Sequence, residues 1–217
     1  LAAYYHVTIN LAGQLCLVVG GGKVAGRKAK TLLECGARIR LVSPQLVPEL
    51  DELVRRSGDS IFYQARPYQP ADLHGVLLVI AATGDVEVNR RIAQECRHRS
   101  LLVNVVNDPA AGNFFVPATV RRGALTIAVS TAGKSPLLSR YIRQELESIF
   151  PPQYAELVEL LGELRAQIIS RVQDAEHRQV LLAGLLDEHI WQLVRAGQFE
   201  LAKERIRHAS SGSGAQS

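Results

Sequence analysis

The chain has 217 residues, of which 47% are hydrophobic, 21% charged and 6% aromatic, with a formal net charge of +4. That composition describes a globular chain of one large or two small domains and excludes a disordered or collagen-like one, and apolar runs such as residues 76–82 stop far short of the roughly 18 residues that a bilayer span needs. Cys16, Cys35 and Cys96 lie far apart without paired ligand spacing, and residues 1–3 carry no basic region or apolar core of a secretory signal, so a cytoplasmic protein without a membrane partner is expected.

The first hundred residues alternate short apolar runs with amphipathic stretches, the rhythm of βαβ units. Residues 15–19 predict a buried strand that runs into Gly20-Gly21-Gly22, and residues 24–35 a helix that Gly36 stops. A second strand is expected over 39–42, a helix over 46–56 after Pro44, and a third strand over 61–65. Residues 76–81 are wholly apolar, as a central parallel strand is. A helix over 86–99 and a strand over 101–106 complete an open, doubly wound parallel sheet with right-handed crossovers.

After Asn107 the pattern changes. Leu125, Ile127 and Val129 alternate with Thr126, Ala128 and Ser130, a period-2 strand preceded by a turn at Arg122-Gly123. Ser135 and Pro136 open a helix as cap and first-turn residue, and Leu138, Ile142, Leu146 and Ile149 form its apolar stripe up to Pro151-Pro152. Beyond that joint, Tyr154, Leu157, Leu161, Leu164 and Ile168 recur at helical spacing. So do Leu182, Leu186, Ile190, Leu193 and Val194, in a segment that Gly197 ends. Residues 209–217 lack any core-forming side chain and predict a flexible tail. No methionine is present, an initiator included, which fits a trimmed or processed chain.

The strongest chemical signal is the strand that runs into Gly20-x-Gly22-x-x-Ala25 and then a helix. Gly20 permits the tight turn, Gly22 lets the backbone approach a pyrophosphate, and Ala25 is small enough for close packing of helix on sheet, while helix N-terminal amides face the anion. A tight structural turn is the competing reading of the glycines alone. Cofactor choice is normally read at the end of the second strand, where a carboxylate holds the ribose hydroxyls or an arginine accepts a 2′-phosphate. Val42-Ser43-Pro44-Gln45 carries neither signature, with Arg40 close by. Ala81-Ala82-Thr83-Gly84, at the end of the fourth strand, offers small residues across which a nicotinamide ribose can lie, or an ordinary turn.

Asn104-Val105-Val106-Asn107-Asp108-Pro109 closes the fifth strand, beside the crevice where open α/β sheets bind ligands. Asp108 is a candidate general base or partner of a substrate nitrogen, and equally a turn residue. The six histidines are dispersed without an i, i+4 pair, so no metal cage is expected. Charge is unevenly placed: residues 1–115 carry 13 Lys/Arg against 10 Asp/Glu, residues 116–150 carry 5 against 2, and residues 151–217 carry 7 against 9. The middle set, Arg121, Arg122, Lys134, Arg140 and Arg143, reads either as a solvated surface or as a grip for several carboxylates through charge-assisted hydrogen bonds. Aromatic and basic residues are not interleaved, so nucleic acid is not an expected partner.

Taken in order, Val19-Gly20-Gly21-Gly22-x-Val24-Ala25-x-Arg27-Lys28, Gly36-Ala37, Val42-Ser43-Pro44, Ala81-Ala82-Thr83, Asn104-Val105-Val106 and Phe114-x-x-Pro117 resemble the siroheme-synthase dehydrogenase family. Ile127-Ala128-Val129-Ser130-Thr131-x-Gly133-x-Ser135-Pro136-x-Leu138-x-Arg140-x-Ile142-Arg143 is similar to the same family, and the match runs collinearly over about residues 5–150.

The resemblance implies a Rossmann-like NAD-binding domain over 1–115, a small α+β dimerisation and substrate-contact segment over 116–150, and an all-helical domain over 151–208. It implies NAD-dependent oxidation of precorrin-2, a polycarboxylate tetrapyrrole, to sirohydrochlorin by a homodimer. Some relatives also insert ferrous iron. Carried over by position, Gly20, Gly22, Lys23, Val24, Ala25, Ser43, Pro44, Gln45, Ala82 and Thr83 are the cofactor residues. Phe114, Pro117, Thr131, Lys134, Ser135, Arg140 and Arg143 are the substrate residues. The family's active-site Asp directly follows Asn-Val-Val. That place is Asn107 here, with Asp108 next, and these two are the catalytic candidates. The competing class is a non-enzymatic dinucleotide sensor, whose domains usually show an acidic end to the second strand and lack the 130–143 block.

Overall fold

The computed structural model describes residues 4–210. It divides into two compact units at Val116/Pro117.

In the first unit, β1 (Leu15–Val19), β2 (Arg38–Val42), β3 (Ile61–Gln64), β4 (Leu78–Ala81) and β5 (Leu102–Val105) form a parallel sheet in the order β3-β2-β1-β4-β5. The helices are α1 (Lys23–Glu34), α2 (Pro48–Arg56) and α3 (Val86–His98). Cys16 and Val18 of β1, Ile39 and Leu41 of β2 and Ile80 of β4 pack with Ala25, Ala29 and Leu32 of α1 and Leu50 of α2. On the opposite face Leu17, Val19, Val79 and Val103 pack with Ile92, Ala93 and Cys96 of α3. Strands buried on both faces explain the unbroken apolar runs, and each large side chain so buried contributes about 1.5–3 kcal/mol. Burial is also what pushes the Cys16 and Cys96 thiols up to about 11, where they serve as apolar packing groups.

Two departures from the sequence reading have simple causes. α2 begins at Pro48, not residue 46, because Pro48 occupies the first turn and the Val47 amide donates to the carbonyl of Gly21 at 2.9 Å, which fixes 43–47 as a loop. Between β3 and β4 the chain forms short 3-10 turns at Gly58–Ser60 and Pro70–Leu73. The second is anchored by Asp72, only 3% exposed, whose carboxylate accepts from Arg66 at 2.5 and 2.9 Å and from the Gln69 amide at 2.9 Å. Burial alone would raise the Asp72 pKa, but the Arg66 and Gln69 hydrogen bonds outweigh it and hold the carboxyl below its ordinary value.

The second unit opens with β6 (Ala118–Arg122), paired antiparallel with β7 (Leu125–Val129). Only the turn and β7 are legible from the sequence, because β6 has one strongly apolar inward residue, Val120, at 1% exposure. α4 (Pro136–Ile149) is capped by Ser135, whose Oγ accepts from the Leu138 amide at 3.2 Å. Its apolar residues do not enter the core of this chain: Leu138 is 49% and Ile149 61% exposed, beside exposed Leu137 and Tyr141.

α5 (Tyr154–Arg171), α6 (Ala175–Gly184), α7 (Glu188–Arg195) and α8 (Phe199–Ser210) follow. They share a core of Leu157, Leu164, Ile168, Ile190, Val194 and Ile206, with the Tyr154 ring edge-on to Phe150 and Phe199. The segment expected over 182–197 is broken, because the Asp187 carboxylate accepts from the Ile190 amide at 2.7 Å and starts α7 anew. Ala209 and Ser210 still belong to α8, and the rest of the expected tail lies outside the described residues. Among the described residues no helix is long and apolar enough to cross a membrane.

Candidate functional site

β1 ends at Val19, level with Val42 of β2 and Ala81 of β4. Beyond these ends the first unit holds a cavity of about 480 Å³, within the range of small-ligand sites. Gly20, Gly21 and Gly22 line it together with Ser43 and Pro44 after β2 and Ala82, Thr83 and Gly84 after β4; Pro67, Tyr68, Asp85, Val88 and Arg91 complete the wall.

The three glycines serve different ends. Gly20 has φ +129°, and a Cβ there would lie 2.3 Å from the Ala82 carbonyl oxygen. At Gly21 a Cβ would lie 1.8 Å from the Gln45 carbonyl oxygen. Among the described residues a Cβ on Gly22 would meet nothing within 4 Å, so no described atom explains why this residue lacks a side chain. Gly22 is also the N-cap of α1; it gives no side-chain cap, and the first turn has no acidic residue. Free amides at the positive end of a 12-residue helix, approached through a side-chain-free gap, fit a dinucleotide pyrophosphate.

The polar side chains of the cavity other than Arg91 are engaged within the chain. Ser43 Oγ donates to the Gln45 carbonyl at 2.8 Å, and Thr83 Oγ1 donates to Asn89 Oδ1 at 2.8 Å. Asn89, buried in α3, returns a bond from Nδ2 to the Thr83 carbonyl at 3.1 Å. Asp85 caps α3 by accepting from the amides of Glu87 and Val88 at 2.8 and 3.2 Å. Tyr68 donates its hydroxyl to Glu95 Oε2 at 2.7 Å; burial first, and this bond second, raise its pKa, so the hydroxyl stays protonated.

Of the expected cofactor residues, Gly20, Gly22, Ser43, Pro44, Ala82 and Thr83 come together on the cavity. Lys23 and Gln45 are exposed beside it, Val24 is half-buried, and Ala25 is fully buried as a packing residue of α1. Arg40, near in sequence to the cofactor-choice position, donates instead to the carbonyls of Asp72 at 2.7 Å and His74 at 3.0 Å. Pro67, Tyr68, Val88 and Arg91 escaped the sequence reading. Their one signal is that Val88, Arg91 and Glu95 recur at i, i+3 and i+7 on a single face of α3.

Asn107 and Asp108 follow β5. Asn107 takes φ +67°, a left-handed conformation that asparagine tolerates well. Asp108 is half-buried and accepts from the Ala111 amide at 3.3 Å. From there the loop turns back along the outer edge of β5. Asn113 accepts from the Val103 amide at 2.7 Å and donates to the Leu101 carbonyl at 2.8 Å, and Asn104 donates to the Phe114 carbonyl at 3.1 Å. The strand edge is thereby covered and Phe114 fixed.

In the second unit Thr131 Oγ1 accepts from the Ser135 amide at 3.0 Å and lies 3.2 Å from Ser139 Oγ, so this hydroxyl holds the 131–135 loop onto α4. Arg122 donates to the carbonyls of Phe150 at 2.6 Å and Glu147 at 3.1 Å, closing the end of α4. Arg143 pairs with Glu147 one turn on. Lys134 and Arg140 remain exposed, and among the described residues neither makes a side-chain ion pair. Pro117 is half-buried at the start of the unit. Among the described residues no group of three or more His, Cys, Asp or Glu could hold a metal ion.

The parallel sheet, the glycine cradle and the cavity at the strand ends define a doubly wound α/β protein with the architecture of a dinucleotide-binding domain. Residues 7–118 match the NAD(P)-binding family, residues 122–149 the central sirohaem biosynthesis family, and residues 153–209 the sirohaem synthase dimerisation region. The solved structure of SirC, precorrin-2 dehydrogenase, is 30% identical with a TM-score of 0.74 and covers 93% of this chain and 100% of its own. The siroheme synthase of Thioalkalivibrio sulfidiphilus is 37% identical over 95% of this chain and 42% of its own length, and that of Pseudomonas fluorescens 38% over 94% and 43%. The chain thus spans about two fifths of the curated relatives it matches. It belongs to the siroheme synthase N-terminal/precorrin-2 dehydrogenase family.

Proposed function

We propose that the chain is a precorrin-2 dehydrogenase that uses NAD to oxidise precorrin-2 to sirohydrochlorin. The observation that carries this reading is the cradle at Gly22, where the protein leaves side-chain space that its own packing does not require. Bound NAD supplies a hydride acceptor, and each turnover releases one proton. The chain's own part is to orient and to exchange that proton. The amides of α1 hold the pyrophosphate, with Lys23 and Val24 at its flank, and Ser43, Pro44 and Gln45 border the ribose.

The Asp108 carboxylate takes the proton released from substrate, and Asn107 orients the ring from the position where the family has its Asp. Phe114 and Pro117 give apolar surface. Lys134, on the loop that Thr131 and Ser135 shape, and Arg140, on α4, bind acetate and propionate groups. Residues 1–115 bind the cofactor and supply Asn107, Asp108 and Phe114, residues 116–150 make substrate and dimer contacts, and residues 151–208 add the helical dimerisation region. A homodimer is supported by the exposed apolar face of α4 and by the match of residues 153–209 to a dimerisation region.

The test is to incubate the purified chain with NAD and precorrin-2 and follow the absorption spectrum. Growth of the sirohydrochlorin bands is expected, and none from verified intact substrate would refute the reading. Ferrous ion added afterwards is expected to remain free, because Asn107 stands where the family has a carboxylate.

A further inference from the structure

The cavity leaves open which residues hold the far end of the dinucleotide. An acidic residue closing the second strand of such folds grips the adenosine ribose, so the adenosine half lies on the β2 side of the pyrophosphate. The cavity extends that way: Pro44 follows β2, Pro67 and Tyr68 follow β3, and nothing from β5 lines it. Facing them from α3 are Val88 and Arg91. Arg91 is the one arginine or lysine among the lining residues.

Two neighbours steady this exposed side chain. Arg91 Nε donates to Glu95 Oε1 at 2.9 Å, while the other oxygen of the same carboxylate accepts the Tyr68 hydroxyl at 2.7 Å. The guanidinium carbon stands 6.0 Å from the centroid of the Tyr68 ring. Among the described residues Nε makes the only hydrogen bond of this side chain, so both terminal nitrogens and one face of the plane are left for a ligand. Every other polar side chain of the wall is already engaged in the chain.

We propose that Arg91 is the residue that grips the adenosine half of the dinucleotide, its guanidinium plane lying against the adenine ring, and that Glu95 and Tyr68 are positioning residues that hold it there. The inference rests on the dinucleotide reading of the cavity but not on the reaction. A cation over an aromatic face, partly desolvated, gives roughly a tenfold effect on affinity.

The experiment is calorimetric titration of the full chain and its variants with NAD, AMP and nicotinamide mononucleotide. R91A is expected to weaken NAD and AMP about tenfold and to leave nicotinamide mononucleotide unchanged. E95Q is expected to weaken NAD less, and to add nothing in the R91A/E95Q double variant, whereas a merely structural Glu95 would add its loss there too. R91A that binds NAD within about twofold of the parent, or that weakens nicotinamide mononucleotide equally, overturns the proposal. A parent chain that takes up no NAD instead refutes the dinucleotide reading beneath it, and an absence of precorrin-2 turnover touches neither titration.

Discussion

In the proposed function the glycine cradle of the first unit and the basic segment of the second handle anions by different means. In the cradle the backbone is the binding group. Gly20 and Gly21 are bare because Ala82 and Gln45 press against them, Gly22 is bare with nothing pressing, and the neighbouring hydroxyls are tied up internally. In the basic segment side chains are the proposed binding groups, and the fold draws some of them off: Arg122 closes the end of α4 and Arg143 pairs with Glu147. A backbone site is fixed by where glycine stands. A side-chain site depends on which charges find partners at home.

The sharpest way to break that contrast lies inside the cradle. Gly21→Ala drives a Cβ into a backbone carbonyl and is expected to cost about 3 kcal/mol or more of stability, read by urea denaturation. Gly22→Ala meets no atom of the described residues and is expected to stay within about 0.5 kcal/mol of the parent. Its NAD affinity should nonetheless fall roughly a hundredfold, about 2.7 kcal/mol, because the methyl group occupies the approach of the pyrophosphate. A Gly22→Ala protein that binds NAD normally would show that the gap is not the phosphate seat.

The next effect sharpens the contrast from the side-chain end. Buried Asp72 and half-buried Arg66 form a charge pair within the first unit that ties the 3-10 turn before β4. Asp72→Asn is expected to cost roughly 2–3 kcal/mol at neutral pH. The native carboxyl titrates below its unfolded value, so its contribution is complete above about pH 4 and is lost as pH falls through the native value. Parent and variant stabilities should therefore converge on acidification. A gap that persists in acid would mean that packing, not charge, carries the anchor.

These differences also explain what the sequence made legible. The strands of the sheet were plain because burial on both faces leaves continuous apolar runs, and Gly20 to Ala25 announced the cradle because a strand that runs through spaced glycines into a helix is a distinctive order. β6 was hidden because one apolar residue, Val120, makes no periodic signal in five positions. The break before α7 was hidden because Leu182, Leu186 and Ile190 keep a helical spacing across an aspartate that restarts the helix. Within the candidate site, Tyr68 and Arg91 come from a loop and a helix with no motif linking them, so only the fold brings them to one wall. The exposure of the α4 stripe was also unreadable, since periodicity reports an apolar face without saying what covers it.

The smallest effects test the basic segment residue by residue. Arg140→Ala and Lys134→Ala remove exposed cations without a local acid, so each is expected to raise the KM for precorrin-2, by about tenfold, with little change in stability. Arg143→Ala is expected to raise it about twofold or less, because its guanidinium already faces Glu147 and binding a substrate carboxylate would mean giving up that pair. Arg122→Ala belongs to the other class: it frees the Phe150 and Glu147 carbonyls and should lower stability by about 1–2 kcal/mol while leaving KM unchanged. If Arg143→Ala instead matched Arg140→Ala in KM, Glu147 would be releasing its partner on binding, and local pairing would no longer tell a binding cation from a structural one.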